Sequence, residues 1–227
     1  MKYYVLCLMM IISTSIDSFN RNTVTVGTVV ARLQTSPAIM RSTELRAATL
    51  KMYSEPLLTA GKKIALAGEK ILALTKEREA DYWGGGLSLC GANIRNAGDS
   101  IAQAGASCKN KWGKELVVDE MRESAVCLKE AAEMIRKHQL VGGEEDFLRT
   151  MNVSTIATVL GEFGEVTEEV AFAFLTGRGG GLVEEFEKGS DCLSRLGDLF
   201  AEVKGLEEAA ALFRQSRNIF EKIKLLE

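Results

Sequence analysis

Residues 60–68, AGKKIALAG, and residues 97–105, AGDSIAQAG, share one pattern, and this pattern decides the fold. In both stretches small and apolar residues recur at spacings of three and four, which places them on one face of an α-helix. Glycine inside a helix costs up to about 1 kcal/mol relative to alanine, so the glycines favour a crowded contact between helices; the alternative is that they are tolerated surface defects. The predicted packing stripe consists of Ala60, Gly61, Ile64, Ala67, Gly68, Ala97, Gly98, Ile101, Ala104 and Gly105.

Apolar stripes of the same period continue towards the end of the chain and predict an all-α fold. We expect a helical bundle of about six antiparallel helices, because no period-two strand pattern interrupts them. The first helix should begin at Ser54 as its N-cap, with Pro56 in the first turn, where proline is tolerated. The fourth should run over residues 144–175, with Asn152 and Gly161 as candidate positions for a break.

Two glycine-rich breaks suggest a larger repeat. Residues 84–86 and residues 179–181 are both Gly-Gly-Gly followed by leucine, and each break comes after the first helix of a group of three. The pattern predicts two duplicated three-helix units, residues 56–138 and 144–226. The alternative is that two similar turns arose independently. Periodicity does not decide between one six-helix bundle and two three-helix units.

The first 52 residues have a different composition from the rest of the chain. Lys2 precedes an apolar run at residues 3–12, YYVLCLMMII, and this is typical of a signal peptide that ends near residue 18. Residues 19–52 are rich in Ser, Thr and Arg and contain one acidic residue, Glu44, which is typical of a transit peptide. We therefore expect a signal peptide at 1–18, a disordered transit peptide at 19–52 and the helical bundle at 53–227.

A signal peptide followed directly by a transit peptide, with Phe19 at the junction, resembles the bipartite plastid-targeting presequences of algae with secondary red-lineage plastids, such as diatoms. The resemblance implies a plastid protein, in the stroma or on the stromal face of the thylakoid. It also implies other proteins as partners, for example a photosystem or light-harvesting antenna complex. The alternative is a secreted helical interaction protein, with disulfide bonds and a glycan at Asn152.

The charge of the body limits its partners. Residues 1–53 contain six of the 28 Lys and Arg residues and two of the 31 Asp and Glu residues. Residues 54–227 therefore contain 22 basic and 29 acidic residues, which gives a net charge of −7. An acidic body disfavours nucleic acid, because phosphate binding needs clustered cations. No apolar run after Met52 is long enough to span a bilayer, so we expect no transmembrane span in the mature chain. A peripheral association with the thylakoid membrane is compatible with this expectation.

The body carries no recognisable catalytic motif. Its single histidine, His138, cannot form a histidine-rich metal site or a triad without partners. Acidic pairs such as Glu168-Glu169 and Glu184-Glu185 diverge around a helix and are expected to be solvated. The four body cysteines form no C-x-x-C motif and are expected to be buried, reduced thiols: Cys90, Cys108, Cys127 and Cys192. The sequence thus predicts a non-enzymatic protein with no catalytic residue, metal or cofactor; the alternative is a cofactor- or pigment-binding bundle.

Aromatic residues supply the candidates for partner binding. Tyr82, Trp83 and Trp112 flank the second helix beside glycines, and aromatic side chains give large contact areas at interfaces. Phe172 and Phe174 lie two positions apart and cannot both face the core from one helix. One of these two phenylalanines is therefore expected to face a partner or the other half of the body.

Overall fold

The computed structural model describes residues 37–77, 86–109, 113–141, 152–177 and 179–223. These residues form six α-helices and contain no strand, which confirms the predicted all-α bundle. The predicted signal peptide and residues 19–36 of the predicted transit peptide lie outside the described residues. The helices are α1 Pro37–Glu77, α2 Gly86–Ser107, α3 Gly113–Val141, α4 Val153–Thr176, α5 Gly179–Ala201 and α6 Glu207–Ile223.

Helix α1 begins earlier than the sequence suggested. It starts at Pro37 and contains Pro56, so it includes residues 37–52 of the segment predicted to be disordered, and the prediction of Ser54 as its N-cap is wrong. No glycine or proline separates Pro37 from Pro56, and the intervening Ala, Leu, Met, Arg, Glu and Lys are good helix formers. The Ser54 hydroxyl instead donates a hydrogen bond to the Gly105 carbonyl of α2 at 2.7 Å.

Helix α4 begins at Val153, directly after one of the two predicted break positions. The Asn152 side chain caps this end by accepting a hydrogen bond from the Thr155 backbone N–H at 3.2 Å. The helix then passes through Gly161 without interruption. It ends at Thr176 and is capped by Gly177, which has a left-handed backbone (φ 69°) and donates its N–H to the Ala173 carbonyl at 2.9 Å.

Contacts between neighbouring helices define one bundle within the second of the two compact units of the chain, Thr49–Glu227. Each helix from α2 to α6 packs against the next one in sequence. Helices α1 and α6 also meet, because the Ser216 hydroxyl donates to the Ala60 carbonyl at 3.3 Å and Lys70 pairs with Glu208 at 2.5 Å. The first and last helices of the body are therefore neighbours.

The contact between α1 and α2 brings the two backbones together at their glycines. A Cβ atom built on Gly61 would lie 2.6 Å from the Gly98 carbonyl oxygen, and one built on Gly98 would lie 2.7 Å from the Gly61 carbonyl oxygen. Cβ atoms at Gly68 and Gly105 would be equally close to the carbonyl oxygens of Gly91 and Ser54, at 2.6 and 2.7 Å. Only glycine allows this approach. Gly91, which lies seven residues before Gly98, belongs to the contact although the predicted stripe omitted it.

The apolar members of the predicted stripe are buried beside these glycines. Ala60, Ile64, Ala67, Ala97, Ile101 and Ala104 each have 0% of their surface exposed. They belong to one continuous core to which both predicted halves contribute, since it extends from Tyr53 to Ile223. The halves thus merge into one bundle. Glycines in the second half make looser contacts: a Cβ atom on Gly189 would meet the Phe220 ring at 3.2 Å, and one on Gly197 would meet the Arg214 side chain at 2.7 Å and the Ala210 carbonyl oxygen only at 3.2 Å.

Candidate interaction surface on helices α4 and α5

The structure separates the two phenylalanines that the sequence left undecided. Phe174 is 4% exposed, and its ring meets that of Tyr53 edge to face at a centroid distance of 5.4 Å. Phe172 is 49% exposed. Phe172 is therefore the residue of this pair that faces outward. The other three candidates, Tyr82, Trp83 and Trp112, lie outside the described residues.

Phe174 belongs to an aromatic cluster in the core of the bundle. Tyr53 stacks on Phe186 at 5.9 Å, and Phe186 meets Phe220 edge to face at 5.3 Å. Phe163 lies 6.3 Å from Phe220 on the same cluster. These rings join α1, α4, α5 and α6, so the role of Phe174 is to pack the core.

Phe172 has an apolar neighbour on the surface. Leu175, one turn further along α4, is 44% exposed. Among the described residues, seven large apolar side chains are exposed, and Phe172 and Leu175 are the pair that lie three or four positions apart on one helix. The turn that carries them is well defined, because the Thr176 hydroxyl donates to the Phe172 carbonyl at 2.9 Å and Gly177 caps the helix. We call Phe172 and Leu175 the apolar anchor.

A charged groove of about 530 Å³ lies on the same part of the bundle, between α4 and α5. The α4 side carries four glutamates along the stripe that continues to Phe172, and the α5 side carries two cations among further acids. The groove thus combines six acidic side chains with two basic ones. Its lining residues are Glu162, Glu165, Val166, Glu168, Glu169, Glu185, Lys188, Asp191, Cys192 and Arg195.

Some of these charges are already neutralised inside the protein. Arg195 pairs with Glu162, and Lys188 pairs with Glu185 at 2.8 Å and with Glu184 at 3.1 Å. The hydrogen bonds that Lys188 donates to Glu185 and Glu184 raise the pKa of its ammonium group, which therefore stays charged.

Glu168 forms an ion pair with a lysine of α3, the other neighbour of α4. Lys129 of α3 approaches it to 2.5 Å and lowers the pKa of its carboxyl, first through the hydrogen bond and then through its charge. Among the described residues, no Lys or Arg forms an ion pair with Glu165, Glu169 or Asp191. The groove therefore retains three unneutralised carboxylates.

This groove was not predicted from the sequence. Adjacent glutamates such as Glu168 and Glu169 were expected to be separately solvated, and each indeed projects outward from its helix. The signal that was missed is the recurrence of acids at 162, 165, 168 and 169, three or four positions apart, followed by Phe172 at the same spacing. That recurrence places the acids and the apolar anchor on one stripe.

The cysteines do not form a reactive site. All four body cysteines are free and buried. Burial raises the pKa of Cys90 and of Cys108 to about 12, and burial followed by the nearby Glu162 charge raises the pKa of Cys192 to about 11. Such thiols stay protonated and are poor nucleophiles near neutral pH.

Two further features of the described residues bear on function. No group of three or more His, Cys, Asp or Glu side chains there is arranged to hold a metal ion. None of the helices in the described part of the chain is both long and apolar enough to cross a membrane.

Comparison of the chain with protein-family models, with curated proteins and with solved structures finds no match.

Proposed function

We propose that the body of this chain is a non-enzymatic interaction module that docks on another protein through the apolar anchor of α4. The observation that carries the proposal is the exposure of Phe172 at 49% beside Leu175 at 44%. Fully burying an exposed side chain of this size stabilises a contact by about 1.5–3 kcal/mol, and a partner that covers the exposed half of each gains about half of that. Two such side chains one turn apart offer a partner a compact apolar contact.

The rigidity of the anchor supports this role. Ala171 and Ala173, on either side of Phe172, are buried, and the helix carries a defined cap at Gly177. A backbone that is already packed and capped loses little further freedom when it binds, and aromatic anchors dominate the energetics of many interfaces. Phe172 therefore suits binding better than it suits the stability of its own bundle.

The proposed location of this module is the plastid, with a photosystem or antenna complex as the first partner to test. The support for it is the resemblance of residues 1–52 to bipartite presequences. Import of the tagged full chain into isolated plastids should yield a shortened, protease-protected product. A chain that instead enters the secretory pathway and acquires a glycan at Asn152 would contradict the plastid proposal.

The docking proposal is tested with a double substitution, Phe172→Ser with Leu175→Ser. We expect the parent chain to co-migrate with a larger complex on native gels of extracts from its own cells, or of solubilised thylakoids. The double variant should run as the free protein. Its circular dichroism should match that of the parent, because both side chains face solvent.

Leu66→Ser provides the matched control, since Leu66 is 41% exposed on α1. This variant should keep the parent's migration. If the double variant stays in the complex, or if Leu66→Ser releases the protein equally well, the docking role of the α4 anchor is wrong.

A further inference from the structure

We infer that the segment bound at this surface is a cationic amphipathic helix of about three turns. This inference rests on the docking role proposed above and names the chemistry of the partner. The apolar side of such a helix would cover Phe172 and Leu175. Its lysines or arginines would meet the carboxylates of the groove between α4 and α5.

The charge of the groove selects a cationic partner. Its lining carries six carboxylates against Lys188 and Arg195, and both of these cations are held by glutamates of the protein itself. Glu165, Glu169 and Asp191 remain without an ion-pair partner among the described residues. An anionic segment would be repelled, whereas a cationic one gains attraction and orientation.

The spacing of these groups selects a helical partner. Glu165, Glu169 and Phe172 occupy positions i, i+4 and i+7 of α4, and Leu175 continues the same face. The distance along the axis from Glu165 to Leu175 is about 15 Å at 1.5 Å per residue. A partner helix of about three turns covers this distance, with cations towards one end of its contact face and apolar residues towards the other.

The test uses the folded full chain and three synthetic peptides of about 14 residues. The first is an amphipathic helix of leucine, alanine and lysine, with the lysines and leucines segregated along its contact face. In the second every lysine is replaced by glutamine, and in the third by glutamate. We expect the lysine peptide to bind at least about tenfold more tightly than the glutamine peptide at low salt, and the glutamate peptide more weakly than both.

Salt provides a second readout. Because exposed charges are screened within about 8–10 Å at physiological ionic strength, raising the salt from about 50 to about 300 mM should weaken the lysine peptide more than the glutamine peptide. Fluorescence anisotropy of labelled peptides measures both affinities.

Charge reversal locates the site. The double substitution Glu165→Lys with Glu169→Lys should weaken the lysine peptide by about tenfold or more. The matched control is Asp119→Lys with Glu123→Lys, an exposed acidic pair on α3 with the same i, i+4 spacing, which should leave the affinity nearly unchanged. Circular dichroism should show that both variants keep the parent's helicity.

The outcomes separate this inference from the proposed function. The proposal of a cationic partner would be wrong if the lysine and glutamine peptides bound equally well. It would also be wrong if the two charge-reversed variants lost the same affinity for the lysine peptide. If Phe172→Ser with Leu175→Ser releases the native complex while Glu165→Lys with Glu169→Lys does not, the anchor is a docking site for a partner of other chemistry. If neither double variant releases the complex, the proposed function itself fails.

Discussion

At the scale of single residues, the same substitution should have opposite effects at two helical glycines. Gly98→Ala places a methyl group 2.7 Å from the Gly61 carbonyl oxygen and still closer to the Ala65 backbone nitrogen. Neither backbone can yield locally, so α1 and α2 must separate. We expect a loss of about 3 kcal/mol or more in the free energy of unfolding. Urea denaturation of the full chain, followed by circular dichroism, measures it.

Gly161→Ala is the matched control for this prediction. Its added methyl group would meet only the end of the Arg136 side chain, at 3.8 Å, and the residue lies inside α4. Alanine is the better helix former, so the variant should be more stable than the parent by about 0.5–1 kcal/mol. Similar effects of the two substitutions would show that α1 and α2 do not approach as closely as the structure describes.

At the scale of the elements, Tyr53 holds α1 against two other helices. It is 2% exposed, and its ring contacts Phe174 of α4 and Phe186 of α5. Tyr53→Ala should cost about 3–5 kcal/mol, the range for truncating a large buried aromatic side chain. The neighbouring Met52, 42% exposed, serves as the control, and Met52→Ala should change stability by less than about 0.5 kcal/mol.

The measurement is the urea midpoint of unfolding for each variant. If the slope of the unfolding free energy against urea concentration is unchanged, a shift in the midpoint reports a change in stability alone. A Tyr53→Ala variant that unfolds at the parent's midpoint would mean that the aromatic cluster does not tie α1 to α4 and α5.

At the scale of the whole molecule, the two predicted halves should unfold together. One continuous core joins them, and α1 meets α6 as well as α2. We therefore expect a single calorimetric transition for the bundle, with equal calorimetric and van't Hoff enthalpies. Gly98→Ala in the first half and Phe213→Ala in the second, where Phe213 is 1% exposed, should both lower the temperature of that one transition. Two separable transitions, each sensitive to one variant, would contradict a shared core.

Much of the fold could be predicted from local patterns. The six helices were recognised because side chains three and four positions apart share a helix face whatever the helix packs against. The start of α1 was misjudged because Ser54 and Pro56 resemble a helix start, and nothing local shows that Ser54 donates its hydroxyl proton to α2 instead. The fourth helix was predicted over residues 144–175 with a break at Asn152 or at Gly161, and the capping bond to Asn152 favours the first position.

The candidate surface could be predicted only in part. The spacing of Phe172 and Phe174 required that one of them leave the core. Which one does so depends on the rotation of α4 against α1 and α5, and Tyr53 settles it by contacting Phe174. The groove needed both the stripe of acids on α4 and the position of α5 beside it, so no single segment could reveal it.

By itself, the sequence determined that the body is acidic and all-α, with about six amphipathic helices, because periodicity and composition are local properties of the chain, and the described residues form six such helices. The tertiary structure decided three things: that α1 and α2 meet glycine against glycine, that the two halves share one core, and that Phe172 stands exposed beside a groove with unneutralised carboxylates. Each of these depends on which helix faces meet and in which register, and that is determined by packing among residues far apart in the chain.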